Sequence, residues 1–364
     1  MKSKKIKILY TIPNFDTAGS GKVVYDLVKN IDKTKFEPHI CCFHNNGDFF
    51  KEIERLQVPI HIFQFAAVYR PFLSLPFRVF KITRFFKREK FDLIHSWNWS
   101  SDFTEPLAAK IAKTPFVFTK KNMGWGNKSW RIKSFLSSKI ILINSDMKTI
   151  FYRNNTDKTI DIPLGVDLEY FFPQSKEIKT SKEDNKNEFV IVSVVNLVPV
   201  KGVELLIKAV NQLNYSSIKL LIVGDDRSDY AYRLKEMITD RDKIKFIGKK
   251  NDVRPYLKAA NLVVIPTLEL GEGLPIAPIE AMASQRIVIG SNVPGVKDVL
   301  SNFPECLFKP NNVEDLKSKI IEIMKMHQKE IENLEILMRL YAQKHFSKED
   351  FIKNHENLYK EMIV

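Results

Sequence analysis

Short apolar runs alternate with amphipathic helical stretches along most of this chain. In the first half, the runs at 6–12, 39–43, 60–63, 93–95, 116–119 and 140–144 read as buried strands, with helical patterns such as 22–29 and 105–112 between them. Strands that alternate with helices imply a parallel sheet in a doubly wound α/β domain. Residues 174–188, QSKEIKTSKEDNKNE, are polar, charged and aperiodic, and read as a linker. The alternation then resumes with a strand at 189–195. Val203, Leu206, Ile207, Val210 and Leu213 follow at the spacing of one helix face. Further strands are expected at 219–223, 245–247, 262–265 and 286–289. The pattern therefore predicts two doubly wound domains with a cleft between them, and no internal repeat is visible. The start of the chain imitates a signal peptide for a few residues, but Lys7 breaks its apolar stretch, so 6–12 reads as the first strand. No apolar run reaches the roughly 18 residues that a membrane span needs.

Length and composition fit this picture. The chain has 364 residues, enough for two cores, with 44% hydrophobic and 27% charged residues, as in globular proteins. Cys41 and Cys42 are adjacent and poorly placed to bridge, and Cys306 is distant, so three reduced thiols and a cytoplasmic location are expected. The net charge of +14 is unevenly spread. Residues 1–165 hold 28 Lys and Arg against 14 Asp and Glu, whereas the remainder holds 29 of each. An excess confined to one half points to an anionic partner for that half, such as a membrane surface; a solubility effect is the plain alternative.

Three segments carry candidate chemistry. In the segment from Glu272 to Ala283, EGLPIAPIEAMA, two prolines require a helix to begin near 275–278, because proline is tolerated only in a first turn. This puts Glu280 in the first turn and Glu272 on the loop before it, both at the carboxyl end of the 262–265 strand, where ligands bind in open α/β sheets. Carboxylates can accept hydrogen bonds from sugar hydroxyls while helix N–H groups hold phosphate oxygens. The plainer reading makes Glu280 a complement to the helix dipole and Glu272 a solvated loop residue. In the second segment, 196–202, Lys201 sits at a strand-to-helix turn, either aimed at a phosphate or merely solvated. In the third, 16–22, Gly19, Ser20 and Gly21 let backbone approach a pyrophosphate, or simply form a turn.

With these segments in order, the whole chain resembles the retaining glycosyltransferases of family 4, also called glycosyl transferases group 1. Glu272 to Glu280, followed by AMAS, is similar to the family's paired-glutamate signature. Leu164-Gly165-Val166-Asp167 with Phe172-Pro173 is similar to its NGVD segment, and Lys201-Gly202 to its phosphate-binding lysine turn. Leu221 to Gly224, Phe246 to Gly248, Asp252-Val253, Gly295-Val296 and Asp298-Val299 fall in the family's order. The resemblance implies a GT-B fold of two facing Rossmann-like domains with an interdomain cleft. The expected domains are 1–170 for the acceptor, with a helix at 347–364 packing back on it, and 188–346 for the nucleotide-sugar. It also implies that Glu280 binds the nucleotide ribose, Glu272 the hydroxyls of the transferred sugar, and Lys201 the diphosphate. The backbone at Gly273, Leu274 and Pro275 and the loop at Gly19 and Gly21 would cradle phosphates and sugar, and Gly224 would line the nucleotide pocket. The chain departs from the pattern at four places. Asn196 stands where the family has a diphosphate-binding Arg, Lys121 where it has a donor-contacting His, Leu164 for the Asn of NGVD, and Gln285 for a Gly.

The activity so implied is transfer of a hexose from a UDP- or GDP-sugar, with retention, to a lipid-linked or cell-surface polysaccharide acceptor. No tightly bound cofactor and no divalent metal are expected; Asp225-Asp226 reads as a turn rather than a ligand pair. Residues 70–91, RPFLSLPFRVFKITRFFKREKF, interleave seven basic residues with Phe72, Phe77, Phe80, Phe85 and Phe86, and Glu89 is the sole acid. Such a segment suits a helix lying on anionic lipid, which would place the protein on the inner face of the cell membrane; the alternative is that the phenylalanines face the core. Rival readings are an inactive sugar-nucleotide-binding homologue, a GT-B epimerase or phosphorylase, and a nucleic-acid binder. The last lacks zinc spacing, an RNP motif or a recognition helix, so no nucleic-acid partner is expected.

Overall fold

The computed structural model describes residues 4–16, 18–154, 156–173 and 188–363, so the expected linker lies outside the described residues except for Glu188. The chain divides into two compact units, Met1–Leu164 with Glu349–Val364, and Gly165–Lys348. Each is a parallel sheet wrapped by helices.

In the first unit the elements are β1 (Ile6–Thr11), α1 (Ala18–Asn30), β2 (Phe36–Cys42), α2 (Phe50–Glu54), β3 (Ile60–Ile62), α3 (Leu75–Glu89), β4 (Leu93–Ser96), α4 (Thr104–Ala112), β5 (Phe116–Lys120), α5 (Trp130–Leu136), β6 (Lys139–Leu142), α6 (Ser145–Phe151) and β7 (Thr159–Asp161). Among the described residues the sheet has seven strands in the order β3-β2-β1-β4-β5-β6-β7. All pair in parallel, for example Leu9 with His39 on one side and Ile94 on the other. The central strands are buried on both faces, which is why 8–10 and 116–118 read as continuous apolar runs rather than as alternating ones.

The second unit runs β8 (Phe189–Val194), α7 (Val203–Asn211), β9 (Ile218–Val223), α8 (Asp229–Glu236), β10 (Ile244–Gly248), α9 (Arg254–Ala259), β11 (Leu262–Ile265), α10 (Ile276–Ala283), β12 (Val288–Ser291), α11 (Val296–Val299), β13 (Leu307–Phe308), α12 (Val313–Lys325) and α13 (Gln328–His345). Its strands lie in the order β10-β9-β8-β11-β12-β13, again in parallel. Val203, Leu206, Ile207 and Val210 are fully buried, as their helical spacing predicts. In both sheets the order reverses beside the first strand of the unit, β1 or β8, which is the switch point where such sheets open a crevice at their carboxyl edge.

The last helix, α14 (Lys348–Ile363), belongs to the first unit. Tyr359 packs edge-on against Tyr10 and Phe36, and its hydroxyl lies 2.7 Å from Nδ1 of His95.

Strands β12, β7 and β13 differ from the sequence reading. The strand expected at 286–289 begins at Val288, because Gln285 adopts a left-handed φ of 59° that ends α10, and Arg286 turns inward to Glu335 at 3.4 Å. β7 and β13 are short edge strands of three and two residues, too brief to leave a periodic signal. Cys41, Cys42 and Cys306 are free and buried, and burial pushes the thiols of Cys42 and Cys306 up to about 12. Among the described residues, no helix is long and apolar enough to cross a membrane.

Candidate active site

The site in the second unit is built at the carboxyl ends of β8 and β11. After β8 the chain makes a 3₁₀ turn, Pro199–Lys201, closed by Gly202 in the left-handed region at φ 64°. A Cβ on Gly202 would stand 2.0 Å from the carbonyl oxygen of Pro266, so only glycine lets the lysine turn lie against the loop after β11. The amide of Leu268 donates to the carbonyl of Val200 at 2.8 Å and ties the two segments together.

This contact brings two predicted site residues into one ion pair. Nζ of Lys201 donates to Oε2 of Glu272, and the hydroxyl of Thr267 donates to Oε1 at 2.6 Å. Lys201 and Glu272 keep 22% and 15% of their side-chain surface exposed. They are sheltered enough for their charges to interact strongly, yet open to a ligand. Thr267 escaped the sequence reading because a lone threonine after a strand carries no motif.

The backbone around Glu272 is tightly determined. Its amide donates to the carbonyl of Pro294 at 3.1 Å. Gly295, at φ 81°, would bring a Cβ to 2.5 Å from the carbonyl oxygen of Gly273 and 2.6 Å from that of Glu272. Gly273, Leu274 and Pro275 are buried and lead directly into α10. Pro275 is extended, at ψ 133°, so the helix starts one residue later than its ring alone would allow. Glu280 is therefore the fifth residue of α10 and lies in its second turn. The expected first-turn position is corrected, and with it the plain helix-dipole role, which fades after the first turn. Gly224 follows β9, and a Cβ there would meet the carbonyl oxygen of Val195 at 2.1 Å, so the turn after β8 and the end of β9 are pressed together. Asn196, in that same turn, is exposed.

The predicted residues of the first unit lie at the carboxyl edge of its own sheet. Gly19 breaks the start of α1 with φ −20° and ψ −108° and is exposed, whereas Gly21 is buried against Phe15. Lys121 follows β5 and donates from Nζ to the carbonyl of Trp97, with the Trp99 ring 4.9 Å away. Burial, helped by the charge of Lys133, pushes its ammonium down to about 7.

Beneath Lys121 lies a buried charge cluster that has no motif in the sequence. Glu105, at the start of α4, is fully buried and accepts from the hydroxyls of Thr11 and Ser96, the latter at 2.8 Å. Lys133 is also fully buried and donates to the carbonyls of Asn98 and Ser100 at 3.0 Å each. Burial raises the Glu105 carboxyl and lowers the Lys133 ammonium, and their mutual attraction opposes both shifts. Lys120 donates to the carbonyls of Asn122 and Gly124 under the ring of Trp125, 4.1 Å away. These lysines pin the loops after β4 and β5 from below.

The expected turn at Asp225-Asp226 holds no metal-ligand geometry: Asp225 chelates Arg227 at 2.6 and 2.8 Å, and Asp226 pairs with Lys235 at 2.7 Å. Among the described residues, no group of three His, Cys, Asp or Glu is placed to hold a metal.

Comparison with known proteins accords with this geometry. Residues 174–336 match the glycosyl transferases group 1 model, and residues 17–170 match the glycosyltransferase family 4 model. The chain is 25% identical over 264 residues to the Escherichia coli UDP-Gal:alpha-D-GlcNAc-diphosphoundecaprenol alpha-1,3-galactosyltransferase, covering 65% of this chain and 67% of that one. In fold it is similar to a glycosyltransferase from Rickettsia africae, with a TM-score of 0.85, 20% identity and 99% of both chains covered. It is also similar to Anabaena HepE in complex with UDP and glucose, with a TM-score of 0.81, 19% identity, and 98% and 99% of the two chains covered. With both units matched and the lysine turn and paired glutamates in place, the chain belongs to the family 4, or group 1, glycosyltransferases and has their GT-B fold of two Rossmann-like domains.

Proposed function

We propose that this chain transfers a hexose from a UDP- or GDP-sugar, with retention of configuration, to a lipid-linked or saccharide acceptor. The observation that carries this reading is the Lys201–Glu272–Thr267 arrangement at the carboxyl edge of the second sheet. An ammonium and a carboxylate so held can grip a diphosphate and the hydroxyls of the adjoining sugar. Lys201 holds the diphosphate, Glu272 the sugar, and Glu280 the ribose, with Asn196 and Gly224 beside the nucleotide and the backbone of Gly273, Leu274 and Pro275 against the phosphates. Within the first unit, Gly19 and Gly21 are assigned to phosphate and sugar contact and Lys121 to substrate contact.

In this reading the acceptor hydroxyl oxygen bonds to the anomeric carbon on the face from which the diphosphate departs. The bond from that carbon to the phosphate oxygen breaks, and the hydroxyl proton passes to the leaving diphosphate. The protein supplies position and charge. Lys201 and backbone N–H groups meet the negative charge that develops on the leaving group, a contribution of roughly 3 kcal/mol per well-placed donor. No metal is invoked. The E. coli relative is named for a UDP-sugar donor and a diphosphoundecaprenol acceptor, and HepE was crystallised with UDP and glucose; both support a nucleotide-sugar donor and the former a lipid-linked acceptor. Such an acceptor fits peripheral contact with anionic membrane through 70–91, at the inner face of the cell membrane.

The test is a thermal-shift screen against UDP, GDP and their sugars, followed by transfer assays. One nucleotide should raise the melting temperature by mass action, and Lys201→Ala or Glu280→Ala should remove the rise. Indifference to every nucleotide would count against the proposal.

A further inference from the structure

Four large apolar side chains lie in the open between residues 72 and 80 of the first unit. Phe72 is 62% exposed, Leu73 99%, Phe77 73% and Phe80 62%. So many large apolar groups in one short stretch, unlike scattered ones, mark a surface that something covers. α3 sorts the basic segment into two faces. Val79, Ile82, Phe85 and Phe86 are buried in the core, which removes Phe85 and Phe86 from the expected lipid-facing set. Phe77 and Phe80 face outward, and Lys81, Arg84 and Lys87 continue the outward stripe along the helix.

Arg78, counted with the surface charges in the sequence, has a different task. Its guanidinium donates to the carbonyls of Pro71 at 2.6 Å, Arg70 at 3.2 Å and Val68, and from Nε to Ser74 at 3.4 Å. One rigid fork thus gathers 68–74 against the helix and holds Phe72 and Leu73 outward without help from any partner. The apolar group is preset rather than loose.

Its place in the fold matters as much as its chemistry. The chain from β3 to α3 leaves the carboxyl edge of a parallel sheet, the same edge from which 97–103 and Lys121 emerge. The two loops are joined directly. The amide of Ala67 donates to the Thr104 hydroxyl at 2.9 Å, and the Tyr69 ring lies 5.9 Å from Phe72 and 6.1 Å from Phe103.

We propose that Phe72, Leu73, Phe77 and Phe80 insert as a wedge into an anionic lipid bilayer while Lys81, Arg84 and Lys87 meet its phosphates, which sets the loop 97–103 with Trp99 and Lys121 at the level of the lipid headgroups. Charge selects the occupant. Glu89 is the sole acid in 70–91 and is engaged by Arg88 at 2.8 Å, so the stripe is a cationic surface that complements phospholipid. A second copy joined about a two-fold axis would set this stripe against itself. The wedge gives the lipid-linked acceptor of the preceding reading a physical route, since a polyprenyl chain would stay in the bilayer while its headgroup reaches the edge of the sheet. It rests on that reading only for the identity of the acceptor.

Flotation of the full chain with vesicles of phosphatidylglycerol and phosphatidylcholine, and with phosphatidylcholine alone, tests the wedge. The protein should float with the anionic vesicles and much less with the neutral ones. Leu73→Ser with Phe77→Ser, both exposed and so tolerated by the fold, should weaken partition by about tenfold or more. Lys81→Glu with Arg84→Glu and Lys87→Glu should do the same for anionic vesicles and remove the salt dependence. Wild-type protein that stays at the bottom of the gradient overturns the proposal, as does self-association that the Leu73→Ser and Phe77→Ser variant abolishes in the absence of vesicle binding. Thermal shifts with UDP and GDP on the same variants separate the two readings. Retained shifts with lost flotation support the wedge, whereas flotation without any nucleotide response would leave the wedge standing and sink the transferase proposal.

Discussion

Lys201 and Glu272, 71 positions apart in sequence, meet as an ion pair at the carboxyl edge of the second sheet, with Thr267 holding the other carboxylate oxygen at 2.6 Å. In the protein alone the carboxylate occupies the ammonium that a diphosphate would need. Binding a nucleotide-sugar would thus exchange one anion for another at Lys201 and release Glu272 toward the sugar. The two residues should then separate in their effects. Lys201→Ala should abolish the thermal shift with UDP or GDP and lower transfer by about 10²- to 10³-fold, the scale for removing one donor to a developing charge. Glu272→Gln frees the ammonium from its competitor, so nucleotide affinity should hold or rise while transfer falls by a comparable factor. Calorimetric titration beside a transfer assay checks both. Equal loss of nucleotide affinity in the two variants would show that the pair is a structural brace.

Gly202 supports the same arrangement through backbone alone. Its φ of 64° and the 2.0 Å approach of a would-be Cβ to the Pro266 carbonyl mean that Gly202→Ala must move the lysine turn away from the loop after β11. The left-handed strain and the clash together should cost about 2–4 kcal/mol in urea unfolding. The residual folded protein should show a weakened nucleotide response, because Lys201 no longer reaches Glu272. Gly124, whose Cβ would meet nothing within 4 Å among the described residues, is the control: Gly124→Ala should leave stability nearly unchanged.

Much of this was readable in advance, and the reasons differ by residue. The apolar runs at 6–12 and 262–265 revealed strands because central parallel strands are buried on both faces, and the prolines at 275 and 278 revealed a helix start because they lack an amide donor. What stayed hidden depends on long-range contact. Glu105 and Lys133 carry no signature, since a charge on a predicted helix reads as solvated until the fold closes over it. Phe85 and Phe86 could not be told from Phe77 and Phe80 by composition; the position of α3 on the sheet decides which face is covered. The sequence LPIAPIEAMA predicted a helix start within 275–278 but not where in that window; α10 starts early in it, at Ile276, so Glu280 falls in the second turn instead of the first.

Lys121 offers a pH test of its assigned place. Burial holds its ammonium down to about 7, against about 10.5 for a free lysine, so it loses its proton as pH rises through neutrality while an ordinary lysine would not. If its charge helps seat a phosphate-bearing substrate, kcat/KM should decline on the alkaline side of about pH 7. Lys121→Arg, whose guanidinium stays charged, should move that decline upward, and Lys121→Met should lower the plateau and flatten the profile. A wild-type profile that stays level from pH 6 to 9 would separate Lys121 from the reaction.

His355 predicts how the first unit responds to acid. Its Nδ1 bonds to the Phe351 carbonyl at 2.8 Å and therefore carries the ring proton, while Nε2 is buried with no partner among the described residues. A second proton on Nε2 would place an unsatisfied charge against His95, whose ring stacks on it at 5.5 Å. Burial accordingly lowers the His355 pKa to about 4 and that of His95 well below its ordinary value. The sign follows from proton counting. Between pH 6.5 and 4 the unfolded chain binds more protons than the folded one, so stability rises with pH across that window and is lost as pH falls. A shift of this size on one group corresponds to about 3 kcal/mol at full expression. Urea unfolding at pH 7.5, 6 and 5 should show the first unit weakening steadily. Substituting His355→Leu removes one of the two titrations, so the variant's stability should fall less steeply with acid, even though losing the bond to Phe351 makes it less stable than wild type at pH 7.5. Parallel pH dependences for the two proteins would assign the acid sensitivity to other groups.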